Sequence, residues 1–330
     1  MTGVAEIQRY GAYLPKPRTQ VSDLHAFYGR PGRPRSRTLA TPALDEDALT
    51  MAYEAADEAL GTERAPGAII SVSQSAPFGL RKMSSTLGRA LGLATDTITM
   101  DLAAHPAGLM DAFAVAAALV ADRPVLVVVS DHVVTYEERV CDMLSAGGAS
   151  AFLVGSSGGF CRLGASARFS QEIYDVWKLG TEGEPRYRLE VLFDAYQAAA
   201  KGAFAALEKA TERPASGYAA VAASQPHPQT LRGLGKLGVS AEQNAHTSFV
   251  GEIGNIGAAS IGLSLALAFD AAQAGQHVLA FGYGAGEGIA QDIEITSAPP
   301  AIATKDRLAG EPITIGTYYR WTRGRQAEPH

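Results

Sequence analysis

Apolar runs in the first half of the chain have the lengths of buried strands and of one long helix. Residues 125–130 are nearly all valine and leucine, which is typical of a strand buried on both faces. The pattern predicts strands at 67–73, 98–102, 125–130 and 149–155, and a helix from about 106 to 120. Strands that alternate with helices in this way indicate an α/β layered fold.

The second half shows the same alternation. Helices are predicted at 193–211, 228–237 and 261–272, and strands at 218–223, 277–281 and 291–296, with a glycine-rich turn at 282–286. The polar stretch 254–260 opens the helix at 261–272. A helix start beside a glycine loop suits a site where the backbone approaches a ligand closely.

The two halves resemble each other in the order of their elements. Each contains a strand, a polar turn, a long alanine-rich helix and a buried strand directly after it. His105 opens the helix in the first half, and Asn255 opens it in the second. We interpret this as a duplicated unit, residues 1–165 and 166–330, whose two helix starts face one central site. Coincidence is the alternative, because alanine-rich helices are common.

Composition narrows the class of protein. The 330 residues are 47% hydrophobic and 19% charged, with a formal net charge of −6, so we expect a globular protein that does not bind nucleic acid. The first residues lack the regions of a signal peptide, and no apolar segment is long enough for a bilayer, so a cytoplasmic protein without a membrane partner is expected. Only Cys141 and Cys161 are present, which excludes a disulfide framework and a four-cysteine zinc site.

Several short segments, taken in order, resemble one protein family. These are 11–15 (GAYLP), 45–52 (DEDALTMA), 146–151 (AGGASA), 224–227 (SQPH), 253–260 (IGNIGAAS), 282–286 (GYGAG) and 318–324 (YYRWTRG). Together they resemble the initiating branch of the thiolase superfamily, the hydroxymethylglutaryl-CoA synthase and ketoacyl-ACP synthase III-like enzymes of archaeal and actinobacterial type. The resemblance implies a thiolase-like five-layered αβαβα fold, an obligate dimer and a tunnel for the pantetheine arm of CoA.

The same resemblance implies a Cys-His-Asn site with a glutamate as acid or base, and this chain departs from it. The family's cysteine falls on His105 and its histidine on Ser224. The asparagine beside that histidine falls on His227, and the glutamate falls on Gln74. Only the second asparagine is kept, as Asn255. The candidate catalytic residues are therefore His105, Ser224 and Asn255. The candidate substrate-binding residues are Gln74, His227, Gly257, Gly282, Tyr283 and Gly284.

Each candidate catalytic residue has two interpretations. A helix N-terminus disfavours an imidazolium, so a neutral His105 either acts as a general base or fills the space of a lost nucleophile. Ser224 is either a nucleophile, if His105 or His227 lies within hydrogen-bond reach, or a cap of a turn. Asn255 either donates to a carbonyl oxygen or caps the helix that follows it.

Other polar positions carry a weaker pattern. His132 follows the 125–130 strand and either lines a pocket or is a structural histidine. Arg232 with Lys236 either meets the phosphates of CoA or forms a solvated charged face. No metal ligand is expected, because the histidines do not show the spacing of a metal site.

Three functions are compatible with these residues. The favoured one is the degenerate subunit of a multi-subunit thiolase-type acyltransferase, paired with another thiolase-fold chain and with a zinc-ribbon/OB-fold subunit. The alternatives are a cysteine-independent acyltransferase that uses His105 and Ser224, and a non-catalytic protein that binds acyl-CoA or a product. In each case an acyl-CoA or acyl-carrier-protein thioester is the substrate, no cofactor is bound, and a homodimer or hetero-oligomer is expected.

Overall fold

The computed structural model describes residues 5–62, 65–102, 105–120, 123–135, 139–179 and 185–324; Ala103 and Ala104, directly before His105, lie outside the described residues. The strands are β1 (Glu6–Tyr13), β2 (Pro17–Gln20), β3 (Thr38–Ala40), β4 (Ala68–Val72), β5 (Ile98–Leu102), β6 (Val125–His132), β7 (Gly147–Gly155), β8 (Cys161–Phe169), β9 (Val176–Trp177), β10 (Arg186–Tyr187), β11 (Ala220–Ala223), β12 (His277–Gly284), β13 (Glu287–Ile295) and β14 (Glu311–Ile313). The helices are α1 (Val21–Phe27), α2 (Ala48–Leu60), α3 (Met83–Ala90), α4 (Gly108–Leu119), α5 (Val140–Met143), α6 (Leu189–Thr211), α7 (Pro228–Leu234), α8 (Ala241–Ala245), α9 (Val250–Ile253), α10 (Ala259–Ala271) and α11 (Ile315–Gly324).

Within the described residues, nine strands form one continuous sheet, which divides into two sub-sheets at the short contact between β1 and β8. Outward from that contact the strand orders are β1-β7-β6-β4-β5 and β8-β13-β12-β11. In both sub-sheets the inner pairs are antiparallel and the outer pairs are parallel. The sequence of antiparallel and parallel pairs is therefore the same in the two sub-sheets, except that among the described strands β5 has no equivalent in the second one. The division at residue 165 falls inside β8 and stays a prediction.

The helices cover both faces of each sub-sheet. α4 and α10 contact each other and lie between the sub-sheets, where α4 packs on β4, β6 and β12, and α10 packs on β1, β7, β11 and β12. α2 covers the outer face of the first sub-sheet, and α6 covers that of the second. The five-layered α/β fold is thus confirmed. Within the described residues, no helix combines the length and apolar character needed to cross a membrane.

The alternation of side chains along β6 explains why its sequence is apolar throughout. Val127 and Val129 face the inner core around α4 and α10, whereas Leu126 and Val128 face the outer core under α2. Because successive side chains of a strand point to opposite faces, a strand covered on both sides needs apolar residues at every position.

Arg18 fastens the C-terminal segment to the N-terminal one. It is 3% exposed, and its Nη2 donates hydrogen bonds to the carbonyl oxygens of Arg307 at 2.8 Å and Ala309 at 3.1 Å. Its Nη1 donates to the carbonyl oxygen of Pro15. The segment that Arg18 holds leads into β14, which pairs with β2, and then into α11.

Some predicted boundaries were wrong. The predicted turn at 282–286 is mostly strand, because β12 runs to Gly284 and only Ala285 and Gly286 have positive φ, at 48° and 87°. The predicted helix at 228–237 ends at Leu234 and continues as a 3₁₀ turn. The strand β8 was missed because most of its side chains are polar or small and only partly buried.

Candidate functional site

His105 lies just before α4 and contacts the end of β12. Its Nε2 lies 2.8 Å from the carbonyl oxygen of Gly284, which fixes Nε2 as the protonated donor. The other ring nitrogen, Nδ1, is buried and has no hydrogen-bond partner among the described residues. A proton on Nδ1 would therefore have no acceptor there, so the contacts suit a neutral imidazole.

Three charged residues surround His105. Its Nε2 is 3.9 Å from the Glu287 carboxylate. Arg168 pairs with Asp111 at 2.6 Å and with Glu287 at 3.4 Å. The histidine nitrogen and the two carboxylates lie within 4.8 Å of one another. The sequence spacing does not reveal this grouping, because His105 and Asp111 come from the start of α4 whereas Glu287 comes from β13. The Arg168 guanidinium already supplies a cation to both carboxylates.

The glycines at the end of β12 allow α4 to approach. A Cβ at Gly282 would lie 2.6 Å from Cγ of Met110, and one at Gly284 would lie 2.6 Å from Cδ of Pro106. Real Cβ atoms do not come that close, so larger residues would push the start of α4 away. The glycine segment is thus occupied by the protein's own helix start.

Ser224 continues the pairing of β11 with β12. Its Oγ accepts a hydrogen bond from the backbone N–H of Tyr283 at 3.1 Å, and its own N–H donates to the carbonyl oxygen of Phe281 at 2.8 Å. The phenol of Tyr196 donates to the carbonyl oxygen of Ser224 at 2.8 Å. The described contacts of Ser224 include no histidine, so the geometry shows no serine–histidine pair.

Tyr283 is tied to the segment that crosses the end of β12. Its hydroxyl donates to Asp175 at 2.6 Å, and both residues are buried. Burial, followed by the hydrogen bond to Asp175, raises the pKa of the Tyr283 phenol above its ordinary value. The hydroxyl therefore remains a neutral donor.

His227 caps α7. Its Nδ1 accepts a hydrogen bond from the N–H of Gln229 at 3.1 Å, and its ring packs on Phe193 with centroids 5.1 Å apart. Burial, and then the charges of Arg35 and Arg232, lower the pKa of His227 to about 4. The cap requires the neutral ring, because a protonated Nδ1 cannot accept the Gln229 hydrogen bond.

Asn255 and Gly257 form the turn that leads into α10. Oδ1 of Asn255 accepts a hydrogen bond from the N–H of Gly257 at 2.9 Å, and Gly257 has φ +60°. The backbone of Asn255 also bridges the segment before β7, through Leu144 and Ala146. Asn255 thus stabilises this turn, while its Nδ2 carries no hydrogen bond within the described part of the chain.

Asp131, near the end of β6, was missed as a site residue. It is 1% exposed and accepts hydrogen bonds from both sides of the site, at Gln74 and Ala258. Burial raises the pKa of the Asp131 carboxyl above its ordinary value, although four hydrogen bonds act in the opposite direction. The only sequence signal was an aspartate directly after a buried strand.

Gln225 was also missed. Its side chain is fully buried, with Nε2 donating to the carbonyl oxygen of Thr247 at 2.7 Å and Oε1 accepting from the N–H of Phe249 at 2.9 Å. It therefore fixes the loop before α9.

His132 lines a small pocket, with room for about one water molecule, between the loop after β6 and α11.

The described contacts link the candidates in two groups. His105 and Gly284 meet at the start of α4, whereas Gln74 and Gly257 meet around Asp131. The two groups are reciprocal, because the segment before α4 contacts the end of β12 and the segment before α10 contacts the end of β6. His227 lies at the start of α7, and its described contacts to Gln229 and Phe193 join it to neither group.

In a comparison of sequences, this chain is similar to hydroxymethylglutaryl-CoA synthases. No protein-family model matches the chain. It is 28% identical over 307 residues to the hydroxymethylglutaryl-CoA synthase of Aeropyrum pernix, covering 86% of this chain and 82% of that protein. The synthase of Methanocaldococcus jannaschii is 28% identical over 316 residues, covering 89% of each chain.

Solved structures show the same fold. An HMG-CoA synthase complexed with CoA superposes with a TM-score of 0.85 at 18% identity, covering 96% of this chain and 90% of that one. The HMG synthase of the curacin pathway, in complex with an acetyl donor-ACP, gives 0.85 at 18% identity, covering 98% and 89%. In both fold and sequence, this chain is similar to the hydroxymethylglutaryl-CoA synthase branch of the thiolase-like proteins.

Proposed function

We propose that this chain is the degenerate subunit of a multi-subunit thiolase-type acyltransferase. It keeps the fold of a synthase, while another thiolase-fold chain supplies the catalytic cysteine. One observation carries the proposal: each of the three candidate catalytic residues has a polar atom that is held in a structural contact. His105 bonds Gly284, the Ser224 hydroxyl accepts from Tyr283, and the Asn255 side chain accepts from Gly257.

The two cysteines support this division of labour. Cys141 and Cys161 are both buried in the core. Burial raises the pKa of the Cys161 thiol above its ordinary value, which disfavours the thiolate that acyl transfer needs. With His105 at the position that the resemblance assigns to the family's cysteine, the chain lacks a nucleophile for ordinary condensation.

An acyl-CoA or acyl-carrier-protein thioester is the proposed substrate of the assembly. Arg35 and Arg232 each lower the pKa of His227, while Asp142 acts in the opposite direction, so a region with two arginines lies near this histidine in a chain of negative net charge. Such a region suits the phosphates of a thioester carrier. The small zinc-ribbon/OB-fold subunit is a further proposed component of the assembly.

A cysteine-independent acyltransferase remains the second candidate, and one observation favours it. Glu287 lies 3.9 Å from Nε2 of His105, a distance at which a carboxylate can support a histidine that takes up a proton. Because Nε2 already carries the proton that it donates to Gly284, the basic nitrogen in this role would be Nδ1.

The decisive experiment reconstitutes the chain with thiolase-fold and OB-fold proteins of the same organism. We expect acyl transfer from acetyl-CoA only when the thiolase-fold chain is present, and almost unchanged turnover for His105→Ala in this subunit. If His105 were the general base, His105→Ala would instead lower turnover by about a hundredfold or more.

Intact-mass measurement of this chain alone with acetyl-CoA should show no adduct. A stable acetyl group on Cys141, Cys161 or Ser224 would contradict the degenerate assignment.

A second prediction concerns association with a thiolase-fold chain. β5 is the edge strand of its sub-sheet, and Ile98 on it is 53% exposed. The family resemblance places this strand at the dimer seam, so Ile98→Lys should weaken association by about a hundredfold, because an unpaired buried charge is costly. Light scattering at micromolar concentration measures the effect. Leu44→Lys is the control, because Leu44 is 57% exposed and lies outside β5. An equal loss of association in Leu44→Lys would count against β5 as the dimer seam. A monomeric wild-type protein would count against it as well.

A further inference from the structure

We propose that Asp131 is the positioning residue of the ligand-binding face, which it builds by holding the Gln74 segment and the Asn255–Ala258 turn against each other. The inference rests on the proposed function in one respect, since the ligand it positions is the acyl thioester. The role itself is that of a single carboxylate that joins three segments distant in sequence.

One carboxylate oxygen organises the loop after β4. Oδ1 of Asp131 accepts hydrogen bonds from the N–H of Gln74 at 2.6 Å, from Oγ of Ser75 at 2.9 Å and from Oγ of Ser73 at 3.2 Å. Ser75 in turn accepts a hydrogen bond from the N–H of His132 at 2.8 Å. The loop is therefore fixed to the end of β6 at several consecutive residues.

The other oxygen organises the entry to α10. Oδ2 of Asp131 accepts a hydrogen bond from the N–H of Ala258 at 2.7 Å. A Cβ at Gly257 would lie 2.9 Å from Cβ of Asp131 and would overlap Oδ2, so only glycine leaves room for the carboxylate. The Asn255–Gly257 hydrogen bond shapes the same turn, so Asp131 sets the position of Asn255.

The carboxylate is unusual because its donors are all neutral. Within the described residues, no lysine, arginine or histidine forms a salt bridge with Asp131, although it is 1% exposed. A buried carboxylate without an ion pair is costly for the fold, and a neutral residue could fill the same space. Asp131 fixes the Gln74 segment and the Asn255–Ala258 turn, and this role accounts for a carboxylate at this buried position.

What Asp131 positions is a pair of half-buried carboxamides. The side chain of Gln74 and the Nδ2 of Asn255 make no hydrogen bond within the described part of the chain. A carboxamide N–H can donate a hydrogen bond to the carbonyl oxygen of a thioester, and that carbonyl is absent from free CoA, although the pantetheine arm of both molecules carries amide carbonyls. The ligand class at this face is therefore the acyl end of a thioester.

Asp131→Asn tests the role, because its amide group would turn a donor towards the Ala258 N–H or towards the Gln74 N–H. In the reconstituted assembly, we expect acetyl-CoA to bind about tenfold more weakly, with little change for free CoA. Hydrogen exchange should become faster at residues 73–75 and 255–258. General structural damage would instead weaken both ligands equally.

Asp101→Asn is the matched control. Asp101 also accepts hydrogen bonds from a serine hydroxyl and two backbone N–H groups, Ser71, Met83 and Ser84, but it caps α3 in the outer layer. This variant should keep the acetyl-CoA to CoA affinity ratio of the wild type. Ser73→Ala removes one hydrogen bond of Asp131. It should change the affinity ratio in the same direction as Asp131→Asn, but by less. If Asp131→Asn does not fold, Ser73→Ala provides the test instead.

The outcomes separate the two proposals. An unchanged affinity ratio in Asp131→Asn, or unchanged exchange in both segments, would overturn the positioning role. Gly257→Ala should reproduce the loss, and its effect should not add to that of Asp131→Asn, because both act on one turn. If the wild-type assembly binds no acetyl-CoA, the proposed function fails, and hydrogen exchange in the two segments still decides whether Asp131 holds them.

Discussion

Arg18→Met should lower the free energy of unfolding by about 3 kcal/mol, because several buried carbonyl groups lose their donor at once. The guanidinium bonds the carbonyl oxygens of Pro15, Arg307 and Ala309. Burial lowers the pKa of Arg18 to about 10, which still leaves it charged at neutral pH. Urea denaturation at pH 7 measures the change.

Arg18→Lys is the control for this prediction. Lysine keeps the charge but lacks the planar fork that reaches several carbonyl groups, so an intermediate loss is expected. Hydrogen exchange should be faster in β14 and α11 in both variants. A Met variant as stable as the wild type would show that the desolvation of the guanidinium offsets its hydrogen bonds.

Acid should destabilise the protein through His227, by up to about 3 kcal/mol. The pKa of this histidine is about 4 in the fold, against an ordinary value near 6.5 when the chain is unfolded. Between these values the unfolded chain binds a proton that the folded chain does not. The stability that the neutral ring supplies is therefore fully present above pH 6.5, and it is lost as the pH falls towards 4.

His227→Asn should remove most of this acid sensitivity, because asparagine can cap α7 and does not titrate. Urea midpoints at several pH values between 4 and 7 measure the effect. Arg35→Gln should recover less, since burial lowers the pKa of His227 more than Arg35 does. An unchanged pH dependence in His227→Asn would show that other groups cause the acid sensitivity.

The sequence determined the architecture, because burial on both faces leaves a direct trace in it. β5 was predicted at its observed bounds, and the unbroken valine run of β6 follows from cores on both sides. The family's short segments, read in order, gave the branch that comparison with known proteins supports. Local patterns suffice for such features, because they depend on burial and on turn chemistry within a few residues.

Only the tertiary structure decided what the candidate residues contact. The glycines at the end of β12 suggested room for a ligand, yet the start of α4 fills that room. Ser224 pairs with the backbone of Tyr283, and His105 acquires the carboxylate of Glu287. These contacts join segments far apart in the chain, so no local spacing encodes them.

Asp131 shows the same limit most clearly. As a residue after a buried strand it carried no pattern of its own, but the fold brings the loop after β4 and the entry to α10 to its two oxygens. A hydrogen bond depends on the position of a donor in three dimensions, whereas periodicity reports only which face of an element is apolar. The sequence therefore determined the layers and the family, and the packing of α4 and α10 between the sub-sheets decided the composition of the site.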